Sequence, residues 1–406
     1  MKTISLFTGA GGLDLGLEAA GFQISICVDR DADAGQTLSA NRPNWRLLQP
    51  GDIDAHPPEE VLTQAILKRG EAALLAAGPP CQPYSKAAYW ANGDTHRLAD
   101  PRSKTLTACL GVVEAALPQV LLLENVDGLS YRGKREALDF LLEGIEQINR
   151  RLGVRYHPCV FHLNSADFGV PQIRQRTYLV ADRDGRSFTP PSATHGPAGR
   201  NGTLDSHLTA WDAIGDLDML DWDASLRPRG KWAGLLPSVP EGHNYLWHTS
   251  RSGGWPLFGW RTRFWSFLLK LSKNRPSWTI SAHPGPSTGP FHWSNRRLST
   301  RELCRLQTFP DSFRVFGGHT AARRQLGNAV PPLIGEILGR EISVQLLGAV
   351  PSAVLRFQLD RRGDCPPPEP VAPVPRNYWD LIGHYPAHPG VGKGPRASLR
   401  TRYDVL

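Results

Sequence analysis

ISLFTGAGGLDLGLEAAGF, residues 4–22, decides how the chain folds. The run at 4–6 reads as a short buried strand and the pattern at 13–20 as a helix. Between them, Gly9, Gly11 and Gly12 let the backbone come close to a ligand, and the helix N-terminus offers free N–H groups. The spacing is not the GxGxxG dinucleotide fingerprint, so taken alone the loop is equally a tight strand–helix turn. The same alternation continues outward. Further apolar runs at 24–28, 73–77, 120–123, 156–162 and 177–181 read as strands, with helical patterns near 31–40, 58–69, 103–117 and 134–151 between them. Strand–helix alternation of this kind predicts an α/β fold with a mostly parallel sheet covered on both faces. Ligands of such sheets sit outside the carboxyl ends of the strands.

From about residue 185 the regular alternation stops. Ten of the twelve tryptophans lie beyond residue 200, and nine Arg or Lys against one acid, Glu241, fall between residues 227 and 275. The stretch 186–294 therefore reads as a smaller, irregular, basic domain. Helical patterns return at 298–306 and 332–347. The proline-rich tail, CPPPEPVAPVP at 365–375, reads as an extended linker and arm.

Composition bounds the rest. A chain of 406 residues, 40% hydrophobic and 21% charged, can bury a core and is not disordered as a whole. No run approaches the roughly 20 apolar residues of a membrane span, and MKTISLFTGAGG lacks the apolar core of a secretory signal. Six widely spread cysteines without a CxxC pair fit a reducing compartment rather than a disulfide scaffold, and no metal site is expected. A net charge of +8 and a pI near 9.3 permit a polyanionic partner without proving one.

Three further acids and a thiol fall where such a sheet places its ligand. Asp29 ends the second strand, where an acid accepts hydrogen bonds from ribose hydroxyls, and Asp52 in GDI is placed to accept one from an adenine amino group. Each acid, taken singly, is more often a solvated turn residue or a helix cap. In LLAAGPPCQPYSK, residues 74–86, Cys81 follows a stiff Gly–Pro–Pro turn at the end of a strand. A thiol there can act as a nucleophile, although an inert packed cysteine is the commoner state. Glu124 ends another apolar strand in LLLENVDGL, on the same rim if the two strands are parallel, where a carboxyl group can deliver a proton to a ring; a capping or salt-bridged acid would look the same. Arg174 and Arg176 in QIRQRTYLV alternate, so they share one face as their strand begins.

Taken together and in this order, FTGAGGLDLGLEAAGF, GDI, GPPCQPYS, ENV, QIRQR, RELCRLQTFPD and QLGNAVPP resemble the DNA (cytosine-5) methyltransferases over roughly residues 3–345. The resemblance implies a Rossmann-like, S-adenosylmethionine-dependent sheet domain, residues 1–185 with 325–348. It implies a target-recognition domain at 186–294, a connector at 295–324 and a C-terminal extension at 349–406. It assigns the cofactor S-adenosylmethionine to Phe7, Thr8, Gly9, Gly11, Gly12, Leu13, Asp29, Arg30, Asp52, Ile53, Pro80, Asn328 and Ala329. It gives Cys81 the attack on cytosine C6, Glu124 the N3 side, and Arg174 the O2 side and the positioning of Glu124, with Arg176 as the second candidate. The target base must leave the stack to be reached. The loop carrying Gln82, Ser85 and Lys86 would close over it, and Arg251, Arg261, Arg263 and Arg297 would meet duplex DNA. Asp29 departs from the Glu found in many members, and DPRSK at 100–104 from the usual DxRG. A monomeric bacterial or phage modification enzyme in the cytoplasm, with a restriction endonuclease acting separately, is the expected setting. A tRNA cytosine-5 methyltransferase shares GPPCQ and ENV and is the alternative. A non-catalytic DNA-binding relative is a third class, disfavoured by the intact Cys81, Glu124 and Arg174.

Overall fold

The computed structural model describes residues 1–79, 104–126, 136–197, 204–218, 223–350 and 354–387. Pro80, Cys81, Gln82, Ser85 and Lys86 lie outside the described residues.

The strands are β1 (Lys2–Leu6), β2 (Gln23–Val28), β3 (Leu74–Ala77), β4 (Val120–Val126), β5 (Cys159–Asn164), β6 (Gln172–Ile173) and β7 (Gln175–Asp182). Six of them form one sheet in the order β2-β1-β3-β4-β7-β5. β2, β1, β3 and β4 pair in parallel, while β7 runs antiparallel to both of its neighbours. The chain leaves β1 to one side for β2 and returns to the other side for β3, so a crevice opens at the carboxyl end of β1.

Period-two alternation sends neighbouring strand residues to opposite faces. Leu74, Ala76, Val120 and Leu122 face one apolar core with α1 (Gly12–Ala19) and the later helices. Leu75, Ala77, Leu121 and Leu123 face a second core with α3 (Pro58–Ala65), α4 (Lys104–Ala116) and α5 (Glu136–Leu152). Between them in sequence, α2 (Ala32–Asn41) starts with Asp31, whose side chain accepts from Asp33 N–H. The α/β layering expected from the sequence is the observed one, and β3 and the start of β4 are apolar on both faces because both faces are covered.

In the second half, α6 (Ala210–Ile214), α7 (Thr300–Arg305), α8 (His319–Asn328) and α9 (Pro332–Leu347) are the α-helices among the described residues. The helix expected at 298–306 is shorter because a capping box fixes its start: Ser299 and Glu302 exchange hydrogen bonds. Helix α8 buries only Ala322 and Leu326 as apolar side chains in HTAARRQLGN; tertiary bonds also hold it, among them Thr37 Oγ1 to Gln325 Oε1 at 2.7 Å. The fifth strand begins three residues later than expected. Tyr156 is committed elsewhere: its N–H donates to Asn149 Oδ1 (2.8 Å) and its hydroxyl to Pro118 O (2.5 Å).

Helices α1 and α9 meet backbone to backbone. A Cβ on Gly16 would lie 2.3 Å from Glu336 N and Pro332 O, and one on Gly335 2.5 Å from Leu13 O. The glycines of GGLDLG thus serve helix packing as well as any ligand.

The irregular segment builds its own core from Leu235, Leu236, Tyr245, Phe258, Phe267 and Phe291. Of its tryptophans, Trp293 is buried while Trp255 and Trp265 are exposed. Two of the nine cations between residues 227 and 275 are interior: Lys273 pairs with Glu241 at 2.9 Å, and Lys270 is buried beside them, its ammonium pushed down to about 8 by desolvation. Strand β8 (Ser277–Trp278) pairs in parallel with β6 and joins this segment to the sheet domain.

The tail is where the structure departs most from expectation. Residues 354–387 are extended up to a short 3-10 helix at Arg376–Leu381, and they pack across the molecule instead of leaving it. Buried Glu336 on α9 accepts N–H bonds from Arg356 (2.8 Å) and Phe357 (3.0 Å), and Tyr378 enters the core of the irregular segment. Proline-rich chain has few N–H groups to satisfy, so apolar rings and side-chain anchors can hold it without a sheet. No helix of the described residues is long and apolar enough to cross a membrane.

Candidate active site

A cleft of about 430 Å³ opens at the carboxyl ends of β1, β2 and β4, a size usual for small-molecule sites. Its floor is the glycine loop. Phe7 turns the chain out of β1 with φ 57°, a left-handed conformation unusual for an aromatic residue and of the kind found at functional sites. Thr8 ties the loop to β2: its N–H donates to Val28 O (3.1 Å), and its hydroxyl accepts from Val28 N–H (3.2 Å). Asp29 grips both sides of the crevice. One carboxylate oxygen accepts from Gly9 N–H at 2.7 Å and the other from Asp31 N–H at 2.8 Å. Burial nonetheless raises its carboxyl above the ordinary value.

Phe7, Thr8, Gly9, Gly12, Leu13, Asp29, Arg30, Asp52, Ile53, Asn328 and Ala329 all line this one cleft. Gly11 does not. With φ 76° it precedes α1 and backs onto Leu38 and Trp45, so its role is the turn. Asp52 caps a single helical turn by accepting from Asp54 N–H at 3.1 Å, and Ile53 behind it is buried.

Glu124 reaches the same cleft from the end of β4. It is 8% exposed, and its Oε1 lies 2.9 Å from Arg176 Nε. The register explains the pair: Glu124 faces Tyr178 across β4–β7, and Arg176 is two residues along on the same face. Burial raises the Glu124 carboxyl above its usual range; Arg176 and then Arg174 pull it back. Arg174 lies between β6 and β7, fully buried, and donates to Gly327 O at 2.9 Å. Arg176 is thus a direct partner of Glu124, while Arg174 donates to a carbonyl in the last turn of α8 and also acts on the Glu124 charge. Asn125 Nδ2 donates to Pro79 O at 3.2 Å, fastening β4 to the Gly78–Pro79 turn that leads into Cys81.

Asp14, Arg324 and His283 are among the cleft residues missed by the sequence reading. Asp14, on the first turn of α1, is buried, and neither carboxylate oxygen has a full hydrogen bond among the described residues. Burial outweighs the nearby Ser5 hydroxyl and pushes this carboxyl up to about 7. Arg324 on α8 spans to α2 and pairs with Asp31 (2.9 Å) and Asp33 (2.7 Å). His283 brings the irregular segment to the rim of the cleft. Asp14 lies inside the glycine-loop motif and Arg324 next to QLGNAVPP, so position could have found both; His283 has no local signal.

Of the residues expected to meet DNA, Arg251, Arg261 and Arg263 are exposed. The Arg263 guanidinium lies 6.0 Å from the Trp232 ring and 5.8 Å from Phe267. Arg297 is half-buried and donates to Ser225 O.

The cleft suits S-adenosylmethionine. It combines a glycine loop at a helix N-terminus, an acid after β2, a second acid in GDI, and buried Asp14, a carboxyl whose charged form a cationic ligand would favour. Comparison with known proteins agrees. The chain is 37% identical over 373 residues to the type II methyltransferase M.SacI of Streptomyces achromogenes, covering 85% of this chain and 93% of that one. It is 32% identical over 335 residues to M.NgoFVII of Neisseria gonorrhoeae, covering 82% and 83%. Among solved structures, a DNA modification methyltransferase encoded within an E. coli prophage aligns with TM-score 0.59 at 22% identity, covering 86% of this chain and all of that one. Spodoptera frugiperda DNMT2 aligns with TM-score 0.56 at 17%, covering 84% and 99%; these two likenesses concern the fold alone. The family model for C-5 cytosine-specific DNA methylases matches residues 1–344. The chain belongs to that family and methylates cytosine in DNA at C5 with S-adenosylmethionine.

Proposed function

We propose that this chain acts on a specific duplex sequence by extruding the target cytosine and adding Cys81 to its C6, with Glu124 and Arg176 holding the pyrimidine edge. The observation that carries this reading is the placement of Glu124. It is a buried carboxyl with a raised proton affinity, ion-paired at 2.9 Å, at the mouth of the turn leading to Cys81 and in the cofactor cleft.

Cytosine C5 is a weak nucleophile because its electrons are shared with the ring. Thiolate addition at C6 breaks the aromaticity and makes C5 enamine-like, dividing one hard step into two easier ones. Negative charge then builds toward N3. Glu124 in its protonated form donates there and holds the exocyclic amino group, while Arg176 keeps the carboxyl oriented. When bound, S-adenosylmethionine supplies an electrophilic methyl group. Asp29, Asp52 and the glycine loop orient it against C5. Loss of the C5 proton and expulsion of the thiolate restore the ring. Unstacking the base costs a few kcal/mol, which contacts from the irregular basic segment offset.

Type II names among the relatives support a modification enzyme paired with a separately acting restriction endonuclease. A duplex carrying 5-fluorocytosine, given with S-adenosylmethionine, is expected to trap the chain covalently, and Cys81→Ser to abolish both trapping and turnover. Methylation by the serine variant at the wild-type rate would refute the assignment. Plasmid DNA and total tRNA assayed side by side separate the RNA alternative.

A further inference from the structure

The family match ends at residue 344, yet the chain beyond it is stitched into the domain that carries the exposed cations. Arg362 N–H donates to Asp212 (2.8 Å), and its guanidinium pairs with Asp216 (3.0 Å). Glu369 pairs with buried Lys273 at 2.7 Å, and Ala372 N–H donates to Pro237 O at 3.1 Å. Tyr378 is 4% exposed and stacks on Trp232, centroids 6.0 Å apart and planes 14° apart, while its hydroxyl donates to Lys231 O. Further on, Trp260 Nε1 donates to Pro386 O at 2.9 Å.

Outward of this seam the side chains are open to solvent. Trp379 is 43% exposed and sits 5.4 Å from Trp255, which is 43% exposed as well. The Arg376 guanidinium is 5.7 Å from the Trp379 ring. Lys231 and Arg263 flank Trp232 beneath. Among the described residues none of Lys231, Arg263 and Arg376 has a carboxylate partner. Cations left on aromatic rings beside paired, open indoles are what a phosphate backbone and its sugars or bases require. Ring contacts run from this patch through Trp232, Phe267 and Phe264, and Trp265 then meets Trp278 of β8, which pairs with β6 next to Arg174.

We infer that residues 354–387 are a working part of the DNA-contacting surface, with Arg376 meeting a phosphate and Trp379, backed by Trp255, packing on the sugar or base beside it. This rests on the reading of the chain as a DNA methylase and extends its target-reading surface to a segment outside the matched family region. The tail's anchors explain why it can serve: a strap fixed at Glu336, Asp212 and Lys273 presents its side chains without the ordering cost of a free arm.

The test uses the full chain, with Arg376→Gln and Trp379→Ala made separately, both at exposed side chains. Affinity for unmethylated plasmid fragments is measured by fluorescence anisotropy across a salt series, with thermal unfolding and S-adenosylmethionine affinity alongside. Arg376→Gln is expected to weaken DNA binding about 5- to 10-fold and to lower the slope of log K against log salt by about one. Trp379→Ala is expected to weaken it at least 5-fold with the salt slope unchanged. Melting temperature and cofactor affinity should match wild type in both. Wild-type DNA affinity and salt slope in both variants, or loss of DNA binding only together with melting temperature, would reduce the strap to a structural role and overturn the proposal. A wild-type chain that methylates tRNA and not plasmid DNA would overturn the proposal and the reading beneath it together. A wild-type chain active on plasmid DNA, with both variants indistinguishable from it, overturns the proposal alone.

Discussion

Arg176 on β7 and Glu124 on β4 are joined diagonally across an antiparallel strand pair, Nε to Oε1 at 2.9 Å, at the edge of the cofactor cleft. Two opposing influences meet on one carboxyl: burial favours its protonated form and the guanidinium its charged form. The balance leaves a group able to hold a proton and to release it.

Arg176→Gln removes the guanidinium and leaves the burial. The proton affinity of Glu124 then rises further, so its protonated form survives to higher pH. Turnover should fall roughly 100-fold or more, because the carboxyl loses its orientation. The alkaline limb of the pH–kcat profile should move upward. A profile that falls in height but keeps its wild-type limbs would show that the two residues are not coupled.

Asp14 predicts a pH-dependent stability. Its folded carboxyl titrates near about 7 against an ordinary value of 3.8, so the folded state holds the proton more tightly than the unfolded chain. Between those values the folded state binds more protons, and stability must fall as pH rises, by at most ~1.4 kcal/mol per pH unit. Above about 7 the penalty is complete. Asp14→Asn should remove this slope. In urea unfolding the variant should gain on wild type between pH 5 and pH 8, and equal differences at both ends would refute the assignment.

Gly16→Ala places a methyl group 2.3 Å from the backbone of α9, where no side chain can swing aside. Overpacking of this kind costs roughly 1–3 kcal/mol, more than the helix preference of alanine returns. The melting temperature should drop by several degrees. Cofactor affinity should weaken with it, since Val330, just before α9, lines the cleft. Calorimetry measures both.

Glu336→Gln should free the start of the strap. The buried carboxylate pairs with Arg340 at 2.6 Å and takes the N–H groups of Arg356 and Phe357. Removing one member of a buried pair costs roughly 3–5 kcal/mol. Limited proteolysis should then cut near residues 354–357 at a protease dose that leaves wild type whole.

Much of the sheet domain was legible in the chain. The run at 74–77 followed by Gly–Pro–Pro, and Leu121–Leu123 before Glu124, announce buried strands with polar groups at their ends, because both faces of these strands are covered and no outward polar residue interrupts them. The glycine loop, Asp29, GDI and Glu124 were readable for the same reason: each closes a regular element, and the layer architecture converts the ends of elements into one rim.

What the sequence alone could not decide are the contacts made across long separations. Whether Arg176 meets Glu124 depends on the β4–β7 register, and a slip of one residue would have turned Arg176 to the other face of β7. Helix α8 has only Ala322 and Leu326 as a buried apolar pair and takes further partners from α2 and the segment near 281–289. The strap at 354–387 reads as a loose arm, since proline-rich composition encodes extended backbone and nothing about what it lies against. The chain's local chemistry fixed the strands, their ends and the chemical groups placed there. Only tertiary packing settled which of those groups touch, because contact is set by register, burial and distant partners that no short stretch contains.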